Sequence, residues 1–460
     1  MSLNKLLFAA ALCAGCASSA LAEGYQINTL SAKQLGMGHV GVAMKLGAES
    51  MLFNPAGLAF SDHTLDFSGT ATGIKAIATA NVDGVDYKTR NGLSTPLAFH
   101  ASFKIYNNLQ AGVSFYTPYG SSINWTENWP GAVLNQKVDL KTYTVQPTIS
   151  WRITPRLSVG AGLMLTWGSV DLNKGLVSAS SLDRMLALLQ ATGMSQAMGL
   201  DPSYRFGTTT PASVRLQGTS DVAVGVNVGA MYDITDNLTV GASFRTKMMM
   251  KVKAGEATVD YANEIARAIL EKDLNIINSA NFAAEMPCPY VLSFGVSYKP
   301  VDKLTLALDA QLTGWRAYKT LSIDFLAEQL EPYDQHLTKN YRNAWAVKAG
   351  AQYAITPRFD LRAGLMIDTT PVNDTHYNPE TPGMTKIEPA AGFSFRAVKN
   401  FSIDVAFMYV AGLGKDNAYC TYADLLAAKT PALNLPVEPV FKANYRVHAF
   451  VPSIGLSYAF

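Results

Sequence analysis

The last ten residues of the chain, Val451 to Phe460, alternate. Ile454, Leu456, Tyr458 and Phe460 are large and apolar, and the residues between them are small or polar. A period of two puts successive side chains on opposite faces of a strand. The pattern recurs. Leu157-Val159-Ala161-Leu163-Leu165-Trp167 runs opposite Ser158, Gly160, Gly162 and Thr166, and Leu304-Leu306-Leu308-Ala310-Leu312 runs opposite Thr305, Asp309 and Gln311. Phe359-Leu361-Ala363-Leu365-Ile367 runs opposite Asp360 and Arg362, and Phe401-Ile403-Val405-Phe407-Tyr409 opposite Ser402 and Asp404. Segments of about ten residues are long enough to cross a bilayer as tilted strands. Charges such as Asp309 and Arg362 would be costly in lipid, so their face is expected to line a lumen.

Tight polar turns punctuate these strands at Tyr106-Asn107-Asn108, Thr154-Pro155-Arg156, Thr235-Asp236-Asn237, Pro300-Val301-Asp302, Thr356-Pro357-Arg358 and Val398-Lys399-Asn400. Long irregular stretches separate them. Short turns on one side and long loops on the other are the habit of membrane barrels. The expected fold is all-β: a transmembrane antiparallel barrel of about 14 strands over residues 62–460. A soluble β-sandwich explains the loop asymmetry poorly.

The chain starts differently. Lys5, the apolar run Leu6 to Ala14, and Ala20-Leu21-Ala22 have the parts of a cleaved export signal, residues 1–22. A lipoprotein reading at Cys16 is weaker, because Cys13 stands where leucine is usual. Residues 23–61 are rich in glycine and small side chains, as in Leu35-Gly36-Met37-Gly38-His39-Val40-Gly41. Roughly forty residues without a sustained period cannot easily fold alone. Their expected place is inside the barrel, as an N-terminal hatch.

Two long connections carry helical patterns. In residues 173–211, Leu182, Met185, Leu186 and Leu189 share one helical face, with Ser180 or Ser181 to cap it and Gly193 to end it. In residues 256–287, Ala262, Ile265, Ala266 and Ile269 share another. Apolar helices outside a barrel need cover, from each other or from a ligand, and a groove between packed helices serves both. Met185, Met194 and Met198 suit a groove tolerant of ligand shape.

Composition adds little. Apolar residues make up 48% of the chain while mean hydropathy is only +0.09; alternation produces this balance, but so does a soluble protein. A net charge of +2 offers no footing for nucleic acid. His39, His63, His100, His336, His376 and His448 are scattered and make no metal spacing such as His-Glu-x-x-His. No metal, cofactor or catalytic residue is expected. Cys288 and Cys420 fall in expected surface loops, where export permits a disulfide or two free thiols. Lumen-facing parity makes Arg245, Lys247 and Arg362 candidates to bind a carboxylate. Each could instead pair with Asp309, Asp360, Asp368 or Asp404 in the wall.

Several motifs, taken in order, resemble the long-chain fatty acid transporter (FadL/TodX) family of outer-membrane proteins. They are Gly24-Tyr25-Gln26-Ile27-Asn28, Gly36-Met37-Gly38-His39-Val40-Gly41, Asn54-Pro55-Ala56, Thr117-Pro118-Tyr119-Gly120, Trp125-Thr126-Glu127-Asn128-Trp129-Pro130-Gly131, Gly241-Ala242-Ser243-Phe244-Arg245, Leu361-Arg362-Ala363-Gly364 and the aromatic terminus. The resemblance implies a fourteen-stranded barrel in a bacterial outer membrane, plugged by the hatch and importing hydrophobic small molecules passively. Long-chain fatty acids come first and aromatic hydrocarbons second. It implies capture at the loops, where Leu182, Met185, Leu186, Leu189, Ile265 and Ile269 would line a groove. A gate would lie at Asn54, Pro55 and Ala56. Sideways exit would follow where the third strand kinks, at Pro118, Tyr119 and Gly120. Expected partners are the ligand, outer-membrane lipid and lipopolysaccharide, with the protein a monomer. A general diffusion porin is the competing reading; it expects an open lumen and polar loops.

Overall fold

In the computed structural model of the chain, the alternating segments become fourteen antiparallel staves. The structure describes residues 24–193, 201, 203–273, 278–430 and 434–460; the expected leader and Met194 and Met198 lie outside them. The staves are β1 (Leu65–Thr72 and Lys75–Val82), β2 (Leu97–Tyr106), β3 (Leu109–Tyr116 and Gly120–Asn124), β4 (Lys137–Arg152), β5 (Leu157–Val177), β6 (Ala212–Thr219 and Ala223–Thr235) and β7 (Leu238–Arg245 and Met248–Tyr261). They continue with β8 (Ser279–Cys288 and Val291–Val301), β9 (Leu304–Thr313 and Thr320–Phe325), β10 (Gln335–Thr338 and Ala344–Thr356), β11 (Phe359–Asp368), β12 (Lys386–Val398), β13 (Phe401–Gly412 and Lys415–Thr421) and β14 (Val440–Ala459). Each stave pairs with the next, and β14 pairs with β1 (Asp66 opposite Ala459), closing the cylinder. Closure removes the unpaired edges that lipid does not tolerate.

The period of two sorts the side chains as the alternation requires. Leu306, Leu308, Leu361, Leu365, Phe407, Ile454 and Leu456 are exposed on the outside, while Asp309, Arg362, Asp404 and Ser453 are buried within. All six short turns link consecutive staves.

Several staves outrun the bilayer. β5 has 21 residues and β14 has 20, against about 9–11 for one crossing. Residues 173–177, 256–261 and 279–287, expected in loops, are therefore strand. Above the lipid the outward face meets water, so it carries Lys251, Lys253 and Glu285 and loses its apolar alternation. Cys288 and Cys420 are likewise in strands rather than loops, buried and unpaired, with no disulfide between them.

The hatch fills the lumen. It comprises two single-turn helices, Ala32–Leu35 and Ser50–Phe53, and two 3-10 turns, Gly47–Glu49 and Pro55–Phe60. So little regular structure leaves its main chain dependent on the wall. Asp309 accepts from the N–H groups of Gly41 (2.6 Å) and Val42 (3.0 Å), and Asp66 from that of Ala48 (2.8 Å). Gln146 donates to Met51 O (2.9 Å), and Ser150 and Ser158 donate to Ala56 O (3.2 and 2.9 Å). Glycines on the wall let the two backbones approach. A Cβ on Gly229 would overlap the Asn54 carboxamide, and one on Gly364 the main chain at Met37 and Gly38.

Candidate functional site

Asn54 is fully buried and extended (φ −153°, ψ 108°), as the proline after it favours. Its Oδ1 accepts from Ala56 N (3.1 Å), capping the 3-10 turn in which Pro55 is the first residue. Its Nδ2 donates to Val42 O (2.8 Å) within the hatch and to Ala230 O (3.0 Å) in β6. One side chain thus ties two hatch segments to each other and to the wall.

The third stave breaks between Tyr116 and Gly120. Tyr116 faces Thr144 and Gly120 faces Lys141 on β4: four steps on β3 against three on β4 (120 − 116 = 4; 144 − 141 = 3). One extra residue on one strand is a bulge, which bends it. Pro118 has no N–H to give. Tyr119 donates its N–H to Thr142 Oγ1 (2.9 Å) and accepts from the same hydroxyl (2.8 Å). Gly120 has no positive φ, so the kink does not use that freedom of glycine. Regular pairing of β3 with β2 ends near Leu97 and Thr117. Beyond it the hatch supplies the neighbour: Ile27 N donates to Pro118 O (2.8 Å) and Gly120 N to Tyr25 O (2.8 Å). The head of the hatch thus makes a single antiparallel bridge to the kink, Gln26 opposite Tyr119.

Two adjoining interior cavities lie above this bridge. The upper, about 420 Å³, is bounded by Leu176, Val214, Val259, Phe325, Leu425 and Lys174 among others. The lower, about 110 Å³, is walled by Val138, Leu140, Leu172, Met250 and Phe282, with Tyr25 of the hatch, Ser121 of β3 and Tyr318 also on its lining. Leu216 and Ile323 border both. Tyr25 is held by Trp315 (ring centroids 4.6 Å apart), Tyr318 (5.8 Å) and Tyr119 (6.1 Å), and its hydroxyl donates to Pro287 O. The path therefore runs from a mixed upper cavity, where Lys174, Asp334, His336 and Glu438 join the apolar walls, into an apolar lower cavity that ends on Tyr25 beside the kink.

The expected groove residues do come together, but as a closed core. Helix α1 (Ala179–Ala191) and the short helix α2 (Glu264–Arg267, continued by a wider turn over Ala268–Asp273) bury Leu182, Met185, Leu186 and Ile269 against each other. Leu189 and Ile265 pack on the rim. A third helix, α3 (Leu425–Lys429), not foreseen from sequence, joins them through Leu426. None of the six groove residues lines the upper or lower cavity. Ser178, rather than Ser180 or Ser181, caps α1, and Gly193 follows its end with φ +73°.

The three cation candidates separate. Arg362 is buried in an ion-pair network with Asp404 (3.2 Å) and Asp360 (3.8 Å), the wall pairing that was its alternative role. Arg245 donates to Leu52 O and joins Ser243, which donates to Phe53 O (2.9 Å), in holding the hatch. Lys247 is exposed in the break of β7, on the opposite parity to buried Met248 and Met250; it does not face the lumen. Sequence reasoning passed over Lys174. It lines the upper cavity, donates to Gln335 Oε1 (2.6 Å) and has no carboxylate within ion-pair distance among the described residues. Lys174 lies seven residues beyond Trp167, above the crossing segment. Burial lowers its pKa to about 8, with Glu380 opposing the shift and Lys339 adding to it. Carrying the parity of β5 upward from Val170 and Leu172 would have turned Lys174 inward.

A closed fourteen-stave barrel with a lipid-facing apolar belt and a lumen plugged by its own N-terminal segment is an outer-membrane transport barrel. The chain matches the family described as outer membrane protein transport protein (OMPP1/FadL/TodX) over residues 13–460, and it belongs to that family. It is 22% identical over 484 residues to outer membrane protein P1 of Haemophilus influenzae, covering 99% of each chain. It is 20% identical over 414 residues to the long-chain fatty acid transport protein of an Escherichia coli strain (86% of this chain, 88% of the relative). A crystal structure of a Pseudomonas aeruginosa FadL homologue superposes with a TM-score of 0.76 at 17% identity, covering 95% of this chain and all of that one; this likeness speaks to the fold.

Proposed function

We propose that this outer-membrane transporter of hydrophobic compounds takes up amphiphiles with a long apolar tail and a carboxylate, long-chain fatty acids first among them. The observation that carries the reading is the path into an apolar lower cavity that ends on Tyr25 beside the kink. A tail buried there gains about 0.8 kcal/mol per methylene. Lys174, a cation on the cavity lining with no ion pair among the described residues, takes the headgroup at the upper cavity. The tail reaches the lower cavity and displaces Tyr25. The Tyr25–Ile27 segment then leaves the kink, and the tail passes sideways between β2 and β3 into the membrane. Asn54, Pro55 and Ala56 hold the rest of the hatch while its head moves. The α1–α2 core braces the upper cavity from outside instead of forming the landing groove.

Mass spectrometry of lipid extracted from protein purified out of its native membrane tests the ligand. Recovery of long-chain carboxylic acids, lost on Lys174→Met, is the expected result. Recovery of neutral hydrocarbons that ignore Lys174 would assign the second ligand class. Swelling of reconstituted liposomes in small sugars would mean an open bore and a diffusion porin.

A further inference from the structure

Outside the lumen, one sector of the barrel carries cations that make no ion pair among the described residues. Staves β7, β8, β9 and β10 are consecutive neighbours, and each breaks at one height. The breaks are at residues 246–247, 289–290, 314–319 and 339–343. The register confirms their alignment: Arg245 faces Val291, Val291 faces Thr313, and Thr313 faces Ala344. Below the breaks run 8, 11, 10 and 13 strand residues to the short turns. About 9–11 residues cross the bilayer, so the breaks sit at the outer lipid–water boundary. Aromatic side chains mark the same level: Phe244 and Tyr290 lie 6.2 Å apart by ring centroids, and Trp345 is exposed at the same register on β10, with Leu292 and Leu312 between it and Phe244. Such rings prefer the headgroup region.

Lys247, Arg316, Lys319 and Arg342 all fall in these breaks, and all are exposed. The side chains beside them in the chain (Met248, Trp315, Tyr318, Tyr341) are buried toward the lumen. Arg316 and Arg342 are brought close because Arg316 N donates to Asn343 Oδ1 (3.1 Å). None of the four is in an ion pair among the described residues. Several cations near the outer rim elsewhere are paired, Lys141 with Asp139, Lys251 with Glu285, Lys253 with Asp221, Lys415 with Asp374 and Arg446 with Asp416, while Lys88 and Arg90 between β1 and β2 make no ion pair among the described residues but do not sit in a row of aligned breaks. Immediately below the strip the wall presents Phe294, Leu308, Trp345 and Val347 to lipid.

We infer that this strip is a docking site for a phosphorylated lipid of the outer leaflet. Arginine forks and lysine ammonium groups meet the phosphates, and the acyl chains lie on the apolar wall beneath. Cation clusters flanking a membrane segment recognise anionic headgroups in this way. The inference rests on the membrane location alone and stands whether or not the cargo is a fatty acid.

The test uses the full-length barrel in mild detergent, with native mass spectrometry after adding bis-phosphorylated lipid A. The variants are K247Q, R316Q, K319Q and R342Q, singly and together, with K303Q/R358Q/K399Q on the opposite turns as a control that removes three charges away from the strip. Each strip substitution is expected to weaken binding about fivefold, and the quadruple variant by at least a hundredfold, while the control binds as before. All should keep heat-modifiable mobility, which reports the folded barrel. Dephosphorylated lipid A should bind weakly, and inorganic phosphate should compete only at far higher concentration. Unchanged binding by the folded quadruple variant, equal binding of the dephosphorylated lipid, or equally effective competition by phosphate would each overturn the site.

Discussion

Replacing Asn54 by alanine isolates the energy that seats the hatch. The side chain makes three hydrogen bonds at a fully buried position, to Ala56 N, Val42 O and Ala230 O. Loss of a capping side chain costs about 0.5–2 kcal/mol. Each buried carbonyl left without its donor adds about 1–3 kcal/mol. Taking the low-to-middle range, Asn54→Ala should weaken hatch docking by about 3–5 kcal/mol. The barrel ladder uses none of these side-chain bonds and should be unaffected. Hydrogen exchange separates the two units. Amides from Gly41 to Phe60 should exchange at least about a hundredfold faster, since 1.4 kcal/mol is a factor of ten, while amides of β9 to β14 keep their protection. Asn54→Asp is the companion variant; it keeps the acceptor for Ala56 N and loses both donors. It should be no better than alanine, because a carboxylate would then face two carbonyl oxygens. Hatch amides that exchange at the wild-type rate in Asn54→Ala would refute the reasoning. So would faster exchange spread evenly over the wall.

Two further predictions use the cations. Lys174→Met should reduce affinity for a long-chain fatty acid about tenfold, within the range for a charged hydrogen bond, and leave a neutral hydrocarbon unaffected in the same fluorescence displacement assay. In the wild type, fatty-acid affinity should hold below pH 8 and fall as pH rises through about 8, the value to which burial lowers the Lys174 pKa. Stability moves the other way. Between about 8 and the ordinary lysine value the unfolded chain binds the extra proton, so this group makes the fold more stable as pH rises through that window. Arg362→Met should lower the temperature of heat modification without altering ligand affinity. It leaves Asp404 buried without an ion partner, while Asp360 keeps Arg396, a loss of about 3–5 kcal/mol; unchanged stability with impaired binding would return Arg362 to the ligand site.

The wall was readable because lipid imposes one rule on every outward position. Leu306, Leu308, Leu361 and Leu365 report that rule, and Asp309 and Arg362 report its inverse. Above the bilayer the rule lapses. Residues 173–177, 256–261 and 279–287 therefore read as loop, and Lys174, which sits on the first of these, went unnoticed. The helix around Leu182 was legible from its period, but period cannot tell a face that meets a ligand from one that meets another helix. α3, five residues long, is too short to carry a period at all. Asn54-Pro55 announces its own extended turn, whereas its bonds to Val42 and Ala230 depend on tertiary closure. Asp309 was legible as lumen-facing; its service to the N–H groups of Gly41 and Val42 was not, because nothing local links residues more than 260 positions apart.

On the proposed route, the head of the hatch sets a threshold on what can open the way out past the kink. Freeing it breaks the Ile27–Pro118 and Gly120–Tyr25 main-chain bonds and the Tyr25 hydroxyl bond to Pro287 O, together about 1.5–4.5 kcal/mol net. It also removes Tyr25 from three edge-on ring partners, at about 0.5–1.5 kcal/mol each. The sum is roughly 3–9 kcal/mol. Burial of a tail offsets it at about 0.8 kcal/mol per methylene, so roughly four to eleven methylenes must enter the cavities before opening becomes downhill. No other energy source is required, and a short acid cannot supply the difference. A series of straight-chain acids of increasing length should therefore show little uptake at first, then a steep rise over several carbons. Tyr25→Ala should move that rise toward shorter chains. Uptake that grows smoothly from the shortest acid, with no shift in the alanine variant, would mean that the Tyr25–Ile27 segment is not the barrier.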